Sequence, residues 1–145
     1  MKILIHSSLD FANEMVIAQK YLEKYAYTNI ILPELTCYQH IRDELNDDLS
    51  FTKIKNKLTI ENINNVEICD CLLILNYTHR GIKNYIGGNS FLEMVIAFYL
   101  NKPIYLLNDI PENMSYTEEV KAMYPIIVND LENFASIIMN NMIET

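Results

Sequence analysis

Short, continuous apolar runs alternate with longer segments of helical periodicity along the whole 145-residue chain. The apolar runs predict β-strands at residues 3–5, 30–32, 72–75, 104–107 and 126–128. Continuous apolar character is typical of parallel strands that are covered on both faces. Between these runs, apolar residues spaced three or four apart predict helices over residues 11–26, 50–66, 91–100, 117–123 and 131–142.

This alternation of strands and helices predicts one domain over residues 1–145, built as a three-layer α/β sandwich around a doubly wound parallel sheet of about five strands. In such a sheet, ligands bind outside the carboxyl ends of the strands, where the strand order reverses. The segments 6–10 and 76–80 follow the first and third predicted strands, so both are expected at that edge. The sequence therefore predicts one cleft built by these two segments and the loop after the fourth predicted strand, with the glycine loop leading from the second segment into the next helix.

Composition and charge indicate which cellular setting and which partners to expect for the chain. The net charge of −8 with no basic cluster argues against a nucleic-acid polymer as partner. No apolar run approaches the length of a membrane span, and the apolar start is too short for a signal peptide. Cys37, Cys69 and Cys71 cannot all pair, which favours a reduced, cytoplasmic protein. The histidines and cysteines lack metal-ligand spacing, so neither a metal nor another cofactor is predicted.

All three glycines of the chain lie within residues 81–88 and precede an apolar helix whose lone charge between residues 91 and 100 is Glu93. Glycine lets a ligand approach the backbone closely, and a carboxylate on an apolar helix face is costly unless it is paired or protonated. The alternative is a capping box, because Ser90 and Glu93 fit the pattern S-x-x-E. Gly87 and Gly88 favour a functional site, since an ordinary cap does not need them.

For the other candidate residues, an ordinary structural role is an alternative to a role in the site. Asp70 stands directly before the third predicted strand, where a solvated acid is common. Ser7 and Ser8 follow the first strand and are also good helix caps. The sequence lacks the glycine patterns of dinucleotide-binding, P-loop and hydrolase sites.

Four segments together resemble the nucleoside 2-deoxyribosyltransferase superfamily, which includes the 2'-deoxynucleoside 5'-monophosphate N-glycosidases. The segments are ILIHSSL (3–9), DCLLILN (70–76), GGNSFLEM (87–94) and AFYLNKPI (97–104). The resemblance implies a flavodoxin/Rossmann-like fold with Glu93 as nucleophile and Asp70 positioning or protonating the substrate. One departure is His6, which stands where family members carry a glycine.

The resemblance also implies the reaction: cleavage or transfer of the N-glycosidic bond of a (deoxy)nucleoside or nucleoside monophosphate, in a homodimer or higher oligomer. A carboxylate can stabilise or capture the sugar as that bond breaks. The alternative is a non-catalytic nucleotide-binding or sensing module of the same fold. Any phosphate is expected at the helix start and the base near the first strand. The predicted substrate-binding residues are Ser7, Ser8, Phe11, Asn76, Gly87, Gly88, Asn89 and Ser90.

Overall fold

Each of the apolar runs forms a strand, and the strands build one parallel sheet. The structure, a computed structural model, describes residues 1–25, 29–34 and 48–144, with the backbone alone at residues 48–50. In this part of the chain the strands are β1 (Lys2–His6), β2 (Asn29–Ile31), β3 (Cys71–Ile74), β4 (Ile104–Leu106) and β5 (Ile126–Ile127). Their order across the sheet is β2-β1-β3-β4-β5, so the predicted parallel sheet of five strands is confirmed.

Helices cover both faces of the sheet and complete a three-layer α/β sandwich. They are α1 (Ala12–Tyr25), α2 (Asp48–Ile68), α3 (Gly88–Tyr99), α4 (Thr117–Ala122) and α5 (Leu131–Ile143). The helices α1 and α5 pack on one face, and α2, α3 and α4 pack on the other. The fold class predicted from the alternating pattern is therefore confirmed. Among the described residues, no helix combines the length and the apolar character needed to cross a bilayer.

Burial on both faces explains why the strands have continuous apolar sequences. Successive side chains of a strand point to opposite faces. In β1, Ile3 and Ile5 pack with the α1 and α5 layer, whereas Leu4 packs with the layer of α2, α3 and α4. All three are at most 1% exposed. A polar residue at either set of positions would lose its contact with water, which costs free energy unless it finds a partner.

Lys102 ties the end of α3 to the end of α2. Its Nζ donates hydrogen bonds of 2.7 Å to the Val66 carbonyl and 2.6 Å to the Cys69 carbonyl, and a third to the Glu67 carbonyl. The last carbonyls of a helix lack partners within that helix, and they attract positive charge. The lysine of the NKPI segment thus closes the C-terminus of α2 and holds it against the loop that leads into β4.

The strand order places the reversal point between β1 and β3. From β1 the chain proceeds to β2 on one side, and from β3 it proceeds to β4 and β5 on the other. The carboxyl ends of β1 and β3 are adjacent, with His6 opposite Ile74 and the Leu75 N–H bonded to the His6 carbonyl at 2.9 Å. Crevices at such reversal points bind ligands, and the predicted cleft lies here.

Candidate functional site

The loop between β3 and α3 opens with a tight turn. The backbones of His79 and Ile82 exchange two hydrogen bonds of 3.0 Å each, and Arg80 and Gly81 between them have φ of 50° and 77°. Two successive positive φ values match the turns that close short hairpins. Gly81 therefore serves the backbone conformation of the turn.

Gly87 and Gly88 have a different role, because neither needs the conformational freedom of glycine. Gly87 has φ of −72° and is the N-cap of α3, with no side-chain cap. A Cβ on Gly88 would meet no atom within 4 Å, and one on Gly87 would meet the Tyr85 ring at an ordinary 3.4 Å. Gly88 therefore borders open space at the start of α3, whereas Gly87 lies against the Tyr85 ring. That space suits a ligand approaching the helix N-terminus, where N–H groups lack partners within the helix.

A cavity of about 220 Å³, here called the glycine-loop cavity, opens at this helix start. It lies at the carboxyl ends of β1 and β3, as the strand order requires. It brings together six of the predicted site residues, from the loop after β1 and from the glycine segment: Ser7, Ser8, Gly87, Gly88, Asn89 and Ser90. Its lining residues are His6, Ser7, Ser8, Leu9, Asp10, His79, Arg80, Tyr85, Gly87, Gly88, Asn89 and Ser90. The loops after β1 and β3 therefore meet in one cleft as expected, whereas no residue of the loop after β4 is among those that line it.

Glu93 lies beneath this cavity and is 2% exposed. Its Oε2 is 3.3 Å from Nδ1 of His6, and the same Nδ1 is 2.8 Å from Oγ of Ser90. Among the described residues, neither carboxyl oxygen of Glu93 has a hydrogen-bond partner. Leaving a buried polar group without a partner costs about 1–3 kcal/mol, and more if it is charged. The fold thus retains a carboxyl group that its own packing does not satisfy.

Serine, histidine and glutamate side chains in contact suggest a nucleophilic triad, but the geometry differs. In a triad the serine and the acid contact different ring nitrogens of the histidine, whereas here Ser90 and Glu93 both approach Nδ1. Ser90 is also 2% exposed. This serine holds the His6 ring in place through its contact with Nδ1.

The capping-box interpretation of Ser90 and Glu93 is wrong. The helix α3 begins at Gly88, three residues before the predicted start, so Ser90 lies inside the first turn and not at the cap. Glu93 cannot reach back to an N-cap that lies six residues earlier. Its side chain instead faces the sheet and the neighbouring helix.

Burial acts in opposite directions on the two titrating groups of this pair. It raises the pKa of Glu93 well above its ordinary value of 4.5. Burial, followed by the charge of Lys55, lowers the pKa of His6 from 6.5 to about 3. Both shifts follow from the cost of charge in a medium of low polarity. Burial therefore favours the uncharged form of both side chains.

Glu93 also borders a second cavity, here called the α2–α3 cavity, of about 160 Å³. Its walls are mainly aliphatic, and its polar groups are carboxyl, amide and hydroxyl. The lining residues are Thr59, Asn62, Ile63, Asn89, Leu92, Glu93 and Ile96. Asn89 borders both this cavity and the glycine-loop cavity, so the two are neighbours.

The expectation that Asp70 shares a cavity with Glu93 is wrong. Asp70 precedes β3 and lies at its amino end, whereas the cavities lie at or beside the carboxyl ends of the strands. Its side chain is exposed, and Oδ2 accepts a hydrogen bond of 2.6 Å from the Lys2 N–H. In a parallel sheet all strand starts lie at one edge, so an acid that begins a strand is far from the ligand edge. Asp70 ties β3 to β1 instead.

Asn76 and Phe11 also occupy other places than predicted. The side chain of Asn76 is fully buried, where its Nδ2 donates to the carbonyls of Asn108 and Asp109 and its Oδ1 accepts from the Asn108 N–H. Asn76 therefore fastens the loop after β4. Phe11 packs its ring against those of Tyr77 and His79, at 5.2 and 5.6 Å between centroids, and neither residue is among those that line the glycine-loop cavity.

Three cavity residues were not among the predicted substrate-binding residues. His79 and Asp10 pair at the glycine-loop cavity, with Nε2 of His79 3.2 Å from Oδ2 of Asp10. The ring of Tyr85 packs at a tilt against that of His79 with 5.1 Å between centroids. The sequence placed the segments of His79 and Asp10 at the cleft, but the pairing of side chains across two loops is visible only in three dimensions.

The cysteines and histidines were the candidate metal ligands of the sequence. Cys37 and His40 lie outside the described residues, and Cys69 and Cys71 are buried free thiols. Burial raises the pKa of Cys71 to about 12, so that this thiol stays protonated. Among the residues that the structure describes, no group of three His, Cys, Asp or Glu side chains is placed to hold a metal ion.

In comparisons with known proteins, no family model matches this sequence, and no curated protein sequence matches it significantly. The functional argument therefore depends on the residues and geometry of the site.

Proposed function

We propose that this protein cleaves or transfers the N-glycosidic bond of a (deoxy)nucleoside or nucleoside monophosphate, with Glu93 as nucleophile. The observation that carries the proposal is the Glu93 carboxyl group, which is buried, lacks a hydrogen-bond partner among the described residues and borders a cavity. A group held in that state at a cost to stability is typical of a catalytic site.

The proposed reaction balances when Glu93 starts as the neutral acid, the form that burial favours. The C1'–N bond breaks with its electron pair passing to the base nitrogen, and a Glu93 oxygen forms a bond to C1'. The proton that the neutral Glu93 gives up equals the proton that the departing base takes up. His6, with Nδ1 3.3 Å from Oε2, is positioned to pass it on. Water then releases the sugar in hydrolysis, or a second base accepts it in transfer.

The glycine-loop cavity is the proposed site for a 5'-phosphate. The first amides of α3, at Gly88, Asn89 and Ser90, border this cavity, and helix N-termini bind anions through such groups. Arg80 adds a positive charge to the same wall. In this proposal a phosphate binds on one side of Asn89 and the sugar on the other, beside Glu93.

The first experiment measures base release from a panel of deoxynucleosides and their 5'-monophosphates, with the Glu93→Ala variant as the control for contaminating activity. The proposal expects release by the native protein and none above background by the variant. Binding without release by the native protein would overturn the catalytic proposal.

A second experiment tests the phosphate site with Gly88→Asp, which adds a carboxylate where a Cβ meets no neighbour. The variant should fold normally and lose affinity for the monophosphate by tenfold or more, with little change for the nucleoside. Equal losses for both ligands would argue against a phosphate at this helix start.

The non-catalytic binding module stays as the second candidate because of one specific feature. Asp70, the predicted second acid, is at the opposite edge of the sheet, so no other carboxylate accompanies Glu93 among the residues that border the α2–α3 cavity. Thermal stabilisation by nucleotides without base release would favour this candidate.

We also propose that two copies of the chain associate through the outer face of α3. Leu92, Val95, Phe98 and Tyr99 are exposed there, with Tyr99 at 82%. Contiguous apolar surface of this kind marks interaction sites, and two-fold dimers are the commonest oligomers. Light scattering at micromolar concentration should give twice the chain mass, and Tyr99→Lys should reduce it. A monomeric mass for the native protein would contradict this.

A further inference from the structure

We propose that Tyr116 is a positioning residue for the glycine-loop cavity: by holding the carbonyl of Ile86, it aims the Gly87 N–H at the phosphate of a bound ligand. This role rests on the phosphate site proposed above and deepens it, since it names a further N–H donor and the residue that orients it. The loop after β4, residues 107–116, does not line the cavity and takes part in the site through this contact. Phosphate binding needs no turnover, so it can be measured apart from base release.

Ile86 is the residue at which the loop after β4 holds the glycine loop. It is fully buried and directly precedes Gly87, the N-cap of α3. The Tyr116 hydroxyl donates a hydrogen bond to the Ile86 carbonyl, and the Ile86 N–H donates one of 3.5 Å to Sδ of Met114. Both backbone groups of one buried residue are therefore bound by the same loop.

The bond to the carbonyl also orients the next N–H group. A peptide group is planar and trans, so the Ile86 C=O and the Gly87 N–H point in opposite directions within one plane. Gly87 lines the glycine-loop cavity, whereas neither Ile86 nor Tyr116 is among its lining residues. With the carbonyl held from outside the cavity, the N–H of the same plane is directed to the side where Gly87 borders it. There it extends the row of amides at the start of α3, and such rows bind anions.

Other contacts fix the loop after β4 in place, so that it can act as a support. The Asn76 side chain donates to two carbonyls at the start of the loop, at 3.0 Å each. At the end of the loop, the Thr117 hydroxyl donates to the Pro111 carbonyl at 2.8 Å. The Tyr116 ring also packs against Phe91 near the start of α3, with 4.5 Å between centroids. Tyr116 thus contacts both the residue before Gly87 and the helix that follows it.

Burial keeps the Tyr116 hydroxyl in its donor form. It raises the pKa of this phenol above its ordinary value of 10, so the hydroxyl keeps its proton at neutral pH. Because this group is partly buried, a water molecule is a poor substitute for it at the Ile86 carbonyl. Removing the hydroxyl alone is therefore the change that tests the role of Tyr116.

The three glycines of the chain all lie in the segment under test, so 15N-labelled glycine gives three amide signals from it. The test is an NMR titration of the full labelled chain with 2-deoxyribose 5-phosphate, with 2-deoxyribose as the matched probe that lacks the phosphate. We expect the sugar phosphate alone to shift the signals of Gly87 and Gly88. Gly81 does not line the cavity, so its signal should stay in place. Hydrogen exchange of the Gly87 N–H should slow at least tenfold in the saturated complex.

Three variants separate the Ile86–Gly87 peptide from the loop as a whole. Tyr116→Phe removes the hydroxyl, keeps the ring and should weaken binding of 2-deoxyribose 5-phosphate about tenfold. Met114→Leu removes the weak sulfur acceptor of the Ile86 N–H, which belongs to the preceding peptide group, so affinity should change less than about twofold. Tyr124→Phe removes a hydroxyl from a side chain that is 85% exposed and should have no effect.

Each outcome supports or overturns the positioning role. Binding by Tyr116→Phe as tight as by the native protein would overturn it and leave the phosphate site standing. An equal loss in Met114→Leu would do the same, because the loop would then act as a whole. An unchanged exchange rate of the Gly87 N–H in the native complex would overturn it without any variant. If the sugar phosphate shifts none of the three glycine signals, the phosphate site and the role of Tyr116 both fail, while base release from nucleosides tests the proposed reaction separately.

Discussion

The protein contains two histidine–carboxylate pairs of nearly equal length in opposite surroundings. His6 and Glu93 are 3.3 Å apart with side chains 3% and 2% exposed, whereas His79 and Asp10 are 3.2 Å apart with side chains 14% and 46% exposed. Burial disfavours charge on both members of the first pair, while water reaches Asp10 in the second. Distance alone therefore does not define an ion pair, because solvent decides whether charge is tolerated.

The two pairs also have different roles in the structure. The buried pair lies behind the cavities and keeps an unsatisfied carboxyl group. The exposed pair joins the loop after β1 to the loop after β3 at the mouth of the glycine-loop cavity. Four predictions test this division of roles, beginning with the largest expected effect.

Turnover should depend on the buried carboxylate and hardly on the exposed one. If the glycosidase proposal holds, Glu93→Ala should reduce kcat by about a thousandfold or more, since a lost nucleophile removes the covalent route. Asp10→Ala should reduce it less than about tenfold. Steady-state rates of base release measure both, with circular dichroism to establish folding. Comparable losses of kcat in the two variants would mean that the two carboxylates do not differ in their importance for turnover.

Removing the buried histidine should destabilise the fold strongly. His6→Ala leaves a cavity and deprives Ser90 of its partner, for an expected loss of about 2–4 kcal/mol in the free energy of unfolding. His6→Asn, which keeps a polar atom near the position of Nδ1, should recover part of that loss. Urea denaturation provides the values. A cost below about 1 kcal/mol for His6→Ala would mean that the pair is not a packed unit.

Glu93→Gln should stabilise the protein at high pH by about 1–3 kcal/mol, because it removes the need to bury a charge. The folded pKa of Glu93 lies above the unfolded value, so the folded state holds a proton that the unfolded chain releases. Stability contributed by the neutral acid is complete below about pH 4.5 and falls as pH rises through the folded pKa.

The contribution of His6 to stability changes with pH in the opposite direction and over a lower pH range. Its folded pKa of about 3 lies below the ordinary 6.5, so stability rises with pH between those values. The contribution of His6 is the same in the native protein and in Glu93→Gln, so comparing the two isolates Glu93. Thermal melts from pH 4.5 to 9 should show the Tm of the native protein falling relative to that of Glu93→Gln as pH rises. Parallel profiles would contradict the burial effect on Glu93.

The smallest effect belongs to the exposed pair. Asp10→Asn should change the free energy of unfolding by less than about 1 kcal/mol, and added salt should reduce the difference further, because exposed ion pairs are weak and screened. Urea melts at low and high ionic strength measure it. A loss of several kcal/mol that persists in salt would place Asp10 among the buried determinants of the fold.

The hydrophobic pattern of the chain predicted the strands, their parallel pairing and the layers. It could do so because both faces of the sheet are buried, and strands buried on both faces have continuous apolar sequences. The start of α3 was missed because Gly88, Asn89 and Ser90 carry no apolar periodicity. The prediction for Asp70 was wrong because a sequence motif shows only which residues are close along the chain. The start and the end of a strand lie at opposite edges of the sheet, and Asp70 is at the start.

The sequence by itself determined the fold class, the position of the glycine loop and the prominence of Glu93, since hydrophobic periodicity and a lone charge are local properties. The tertiary structure alone decided the partners: His6 with Ser90 and Glu93, His79 with Asp10, and Asn76 with the loop after β4. It also decided which carboxyl group is withdrawn from water. Burial and pairing across distant segments depend on how the layers pack, and that information is distributed over the whole chain.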